Sequence, residues 1–185
     1  MAYQAPKLEI VKDNIIRIYH PDIVEPATYL TATAIATDTA ITVKNNVGFA
    51  QHDVVLFGGF DTKDAEIKKI NAAVTAGSAL TITAFTFPHG INTSVNKLLF
   101  DQVELSGAAT LAGAKTVIAT VDLNVSGPFT DYIVAGTTYA FYFARFYNSL
   151  AVAPYNGSYS DGIASTDFTT NTVGFVRRLA TLNVD

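Results

Sequence analysis

The chain has 185 residues, a formal net charge of −4, 15% charged residues and no cysteine. Without cysteine, disulfide scaffolds, zinc ribbons and thiol chemistry are excluded, and so sparse and acidic a charge argues against a nucleic-acid partner bound by phosphate neutralisation. A chain this long buries ~70% of its unfolded surface and needs no covalent staple, while no apolar run approaches the ~18 residues of a membrane-spanning helix.

Residues 1–27 read as an N-terminal arm. MAYQAPKLEIVKDNIIRIYH alternates charge with apolar residues and is no signal peptide. Leu8, Ile10, Ile16 and Ile18 recur at period two in patches, so short strands are expected. Pro21 and Pro26 bracket a stretch unsuited to central sheet pairing. An apolar arm of this kind either packs on its own domain or reaches a neighbouring subunit.

Residues 28–97 read as a small β unit. Leu30, Ala32 and Ala34 share one face, and Ile41 and Val43 alternate with Thr42. Asp53 to Phe57 is apolar on both faces and is broken by Gly58-Gly59. Glu66 to Ile70 is short and charged, which suits an edge strand. Ala76-Gly77-Ser78 turns the chain, and Leu80, Ile82 and Ala84 alternate with threonine. Strands at this spacing predict a small antiparallel barrel or sandwich.

Residues 98–168 read as a second β unit. Val103 and Leu105 alternate with Gln102 and Glu104. Val117, Ala119, Val121, Leu123 and Val125 give the cleanest half-buried pattern in the chain, with all five expected on one face. Tyr139 to Tyr147 is bulky on both faces and is expected to be a central strand. Its Tyr139, Phe141, Phe143 and Tyr147, with Arg145, lie on one face; Tyr142 and Phe146 lie on the other. Tyr159 to Ala164 is expected to close the unit. In residues 169–185, Val173, Val176 and Leu179 fall at helical spacing, predicting a short amphipathic helix after an N-cap at Thr170 or Asn171.

Chemistry is hard to find. His20, His52 and His89 stand more than thirty residues apart with no second ligand at metal spacing, so no metal site is expected. Gly58-Gly59 lacks a phosphate-loop context. Carboxylates could pair as Asp61 with Asp64, or as Asp101 with Glu104, and both pairs read as solvated. No catalytic residue, cofactor or enzyme activity is expected. The aromatic strand 139–147 leaves open a carbohydrate- or receptor-binding platform.

Two stretches carry a resemblance. TAITVKNNVGFAQHDVVLF, residues 39–57, resembles the small β-barrel module of tailed-bacteriophage virion structural proteins, through Gly48-Phe49 and Asp53; His52 stands where that module often has glycine. Ala65-Glu66-Ile67, Leu80 to Thr83 and Phe87 to Gly90 continue the likeness. Asp122 to Ile163 is similar to a fibronectin type III or immunoglobulin-like domain, through the aromatic strand ending at Asn148 and Tyr159-Ser160-Asp161, although the usual early tryptophan is missing. The resemblance implies a virion structural subunit at the neck or tail, with a capsid decoration protein as the nearest variant. It implies assembly in the host cytoplasm as a homo-oligomer among other virion proteins, with no membrane or nucleic-acid partner. The contacts are expected at the two chain ends: Leu8, Ile10, Ile16 and Ile18 in the arm, and Val173, Phe175, Val176, Arg177, Arg178 and Leu179 in the helix.

Overall fold

The period-two residues near the N-terminus form two strands, β1 (Leu8–Ile10) and β2 (Ile15–Tyr19), paired antiparallel with Leu8 opposite Ile18 and Ile10 opposite Ile16. The computed structural model describes residues 4–11, 15–134, 139–149, 157 and 159–165, and every regular element among them is a β-strand. The expected C-terminal helix lies outside the described residues.

The next strand in sequence does not join this sheet. The chain first builds a separate unit from β3 (Val24–Tyr29), β4 (Ala40–Ile41), β5 (Val54–Phe57), β6 (Glu66–Lys69), β7 (Leu80–Thr81) and β8 (Ser94–Leu98). It then adds β9 (Gln102–Ala108), β10 (Thr116–Asp122), β11 (Phe129–Ile133), β12 (Phe141–Tyr147) and β13 (Ile163–Ala164). β11 returns to pair with β2, placing Thr130 opposite Ile18 and Tyr132 opposite Ile16. The resulting sheets are β1-β2-β11 and β10-β9-β12-β13, with every ladder antiparallel.

These two sheets share one core. Ile16 and Ile18 from β2 meet Val103 and Leu105 from β9 and Tyr142, Ala144 and Phe146 from β12. Such face-to-face packing lets each sheet bury one side. Ile16 and Ile18 are both 0% exposed, and each fully buried isoleucine contributes about 1.5–3 kcal/mol of hydrophobic stabilisation. The segment read as an N-terminal arm is thus integral to the second unit. Its isoleucines are used inside the chain, so the contact role expected for Ile16 and Ile18 is corrected. Leu8 and Ile10 are half-buried and pack against the same core.

The inserted unit has a four-stranded sheet, β3-β8-β5-β6, and a two-stranded sheet, β4-β7. Single bridges, Leu30↔Val43 and Ile70↔Ile82, join the ends of the two sheets. The expected barrel is therefore not one continuous closed sheet. Its small side chains and short strands leave bridges where long ladders would be needed. Leu30, Ile41, Val55, Phe57, Ile70, Leu80, Ile82 and Val95 fill the shared interior. Pro26 is accommodated on β3, an edge strand, where the register with β8 shifts between Val24 and Ala27.

β5 explains why its sequence is apolar on both faces. Val55 and Phe57 point into the inserted unit's own core. Val54 and Leu56 point the other way and pack with Ala65, Leu98 and Val125. Val125 and Ile67 also touch the core of the two-sheet unit, so the outer layer of β5 packs onto that core.

One alternation was misread by the pattern. β10 carries a bulge between Val117 and Ala119. One extra residue, Ile118, puts Val117 and Ala119 on opposite faces. Val117 pairs with Ser106 and is 51% exposed, whereas Val121 and Leu123 pack on the core.

Candidate functional site

Polar chemistry concentrates at the seam between the units. β2 ends and β9 begins here, so the insertion leaves and re-enters at one pole of the two-sheet unit. An open cleft of about 390 Å3 runs along it, walled by Glu66, Lys69, Phe87, Asp101, Asp122 and Val125, among others.

Glu66 lies on β6 opposite Phe57 and so faces the inserted unit's interior. It is 6% exposed. Lys68 Nζ donates to its Oε2 at 2.6 Å, and His89 Nε2, which faces the carboxylate and so carries the proton, donates to Oε1 at 3.0 Å. The amides of Thr86 and Phe87 donate to the same group. Burial alone would raise the Glu66 pKa. Lys68, the Phe87 and Thr86 amides and His89 together outweigh burial and lower it from 4.5 to about 2. A carboxylate held this low and saturated with donors is a poor general base near neutral pH. Its effect is mechanical: it ties the 86–89 segment to β6. His89 is further fixed by Phe57 and Phe85, whose ring centroids lie 5.6 and 4.6 Å away.

Two more buried carboxylates follow the same rule. Asp101 accepts from Lys69 Nζ at 3.2 Å and from the Ser149 hydroxyl and amide at 2.6 and 2.9 Å. Lys69 comes from the inserted unit and Asp101 from the other, so this cluster spans the seam. Glu104 accepts from Arg145 Nε at 2.6 Å, directly across the β9–β12 ladder. The hydrogen bond from Arg145 raises that guanidinium's pKa further. The solvated role expected for Asp101 and Glu104 is corrected: both are buried and paired. Asp61 and Asp64 are exposed.

The histidines have three different settings. His20 stacks on Phe60 and faces the Asn124 carbonyl at 3.0 Å through Nε2, bridging the units. His52 is exposed and adopts a φ of 73°, the left-handed region that favours glycine. His89 is buried in the Glu66 cluster. No group of three or more histidine, aspartate or glutamate residues among the described residues stands close enough to hold a metal ion.

β12 occupies a central position between β9 and β13. Tyr142 and Phe146 enter the core, and Tyr139 packs on it as well. On the opposite face, Lys115 Nζ sits 4.3 Å from the Phe143 ring centroid and 5.0 Å from that of Tyr159. Arg145 lies 4.9 Å from Tyr159. Phe143 is buried beneath these groups, so the aromatic face is not an open stacking platform. Val173, Phe175, Val176, Arg177, Arg178 and Leu179 lie outside the described residues.

Sequence reasoning missed the Glu66–His89 pair that anchors the 86–89 segment and, separately, His20 at the seam. Only Lys68 two residues from Glu66, on the same face of a strand, was a usable signal. Comparison of the chain with family models, with curated proteins and with solved structures finds no match.

Proposed function

We propose that the chain is a non-enzymatic structural subunit of a tailed-bacteriophage virion, placed at the head-to-tail neck or on the tail. It works among other copies of itself and other virion proteins. The observation that carries this reading is the joining of two small all-β units in one chain, with the three best-buried carboxylates among the described residues each committed to an internal cation.

The finer fold assignment belongs to the same proposal. In the inserted unit, pairing runs from β3 through β8, β5, β6, β7 and β4 back to β3 once the two bridges are included, which favours a small barrel. In the other unit, the seven strands among the described residues divide three and four. Lettered by themselves, they run A-B-E in one sheet and C′-C-F-G in the other. A constant-type immunoglobulin domain has ABED and CFG instead. The fourth strand here lies beside C, which favours the fibronectin type III variant of the sandwich, with the barrel inserted between strands B and C. A C-terminal helix in residues 169–185 remains part of the proposal as an assembly element. The N-terminal strands do not, because they are used internally.

Mass spectrometry of purified virions, with immunogold electron microscopy, tests the reading. Label at the neck or tail is expected. Label over the shell would make the chain a decoration protein, and absence from the particles would overturn the proposal.

A further inference from the structure

The edges of the sheets are protected unequally. β1 has three residues and carries Glu9; β13 has only two. β11 carries Asp131, held by Arg17 at 3.0 Å. β6 is charged, and Thr83 covers its Lys69 end through backbone and side-chain bonds. β10 is different. It is a seven-residue edge strand, and none of its residues from Thr116 to Val121 is charged. Among the described residues, its backbone bonds only to β9. Alternate residues of such a strand direct both N–H and C=O to the open side. Val117 and Ile118 are exposed on it. Natural edges normally carry a lysine, a proline or a cover at such a place.

We propose that β10 is a docking edge for β10 of a second copy, joined antiparallel about a two-fold axis. Charge supports this occupant. Lys115 stands immediately before the strand and Asp122 ends it, with no charge between. An antiparallel second copy brings the Lys115 end of one strand to the Asp122 end of the other, twice. A parallel partner would set like charges side by side. The Ile118 bulge leaves a regular ladder from Ala119 to Asp122 and turns Val117 outward, where it can meet its counterpart's apolar residues. An isologous contact of this kind closes after two copies. It therefore pairs subunits and adds to any ring contact made elsewhere. It extends the assembly reading to a named surface but stands on the edge geometry alone.

Sedimentation velocity of the full chain over a wide concentration series tests it. The wild type should show twice the chain mass, and Val117→Lys or Thr120→Lys should return it to the single-chain mass. Ile133→Lys, on the β11 edge, should pair like wild type. Circular dichroism checks that each variant is folded. The chain has no cysteine, so Ile118→Cys should form one covalent dimer on mild oxidation. A monomeric wild type at every concentration overturns the proposal, as does pairing indifferent to both lysine variants or abolished by Ile133→Lys. Slow amide exchange along β10 in a monomer, made fast by deleting residues 169–185, would mean that the chain covers its own edge and would also overturn it. Virion mass spectrometry is a separate readout, so loss of the phage reading and loss of this contact are distinguishable.

Discussion

The imidazole of His20 lies stacked on the ring of Phe60, with centroids 4.1 Å apart and planes 20° from parallel. His20 follows β2 and Phe60 follows β5, so this stack spans the seam. Burial lowers the His20 pKa from 6.5, against the opposing effects of the Asn124 carbonyl and of Asp61. The unfolded chain therefore binds a proton at His20 more readily than the folded one. Stability from this residue is full above about pH 6.5 and falls as pH drops below it. The thermal midpoint should decline between pH 7.5 and 5.5, and His20→Phe, which keeps an aromatic stack without titrating, should flatten that decline. An unchanged slope in the variant would refute the assignment.

Glu66 acts in a lower window. Its folded pKa of about 2 lies below the ordinary 4.5. The stability it supplies is present above about pH 4.5 and is lost as pH falls toward 2. Glu66→Gln leaves Lys68 buried without its counter-charge and should cost about 3–5 kcal/mol at neutral pH. Urea denaturation at pH 7 and pH 3 checks both points: the gap between wild type and variant should shrink at the lower pH.

Ile16→Ala should cost about 2–5 kcal/mol, the range for a truncated core isoleucine. Deleting residues 2–20 removes two of the three strands in one sheet. It should abolish cooperative unfolding of the two-sheet unit, measured by near-ultraviolet circular dichroism, rather than leave a folded chain that merely fails to assemble.

Gly107 sits on β9 with the ring of Tyr139 over the place a Cβ would occupy. Gly107→Ala forces that ring aside and should cost about 1–3 kcal/mol, the usual range for overpacking. Adding Tyr139→Ala should recover part of the loss in a double-mutant cycle.

What the sequence made legible was local. Period-two alternation located β2 and β9, and runs apolar or bulky on both faces located β5 and β12. What it hid was distant or offset by one. Ile16 and Tyr132 are opposite each other across 116 positions of sequence, and nothing in the first twenty residues announces that partner. The Ile118 bulge reversed the facing of Val117 without disturbing the apparent alternation. The paired carboxylates were hidden for the same reason: Glu104 and Arg145 are 41 residues apart and meet only because β9 and β12 are neighbours.

The insertion also sets an order of events during synthesis. β2 is made early, but its partners β9, β12 and β11 emerge only after the whole inserted unit. That unit is complete in sequence at Leu98, with its own interior, and nothing needed for that interior comes later. Domains fold as units while a chain grows, so the inserted unit is positioned to fold on the ribosome first. Ile16 and Ile18 meanwhile remain tethered to it by a short stretch, held near the pole where β9 will start. The finished insert thus shortens the effective loop that β2 must close, turning a pairing between remote positions into one between neighbours.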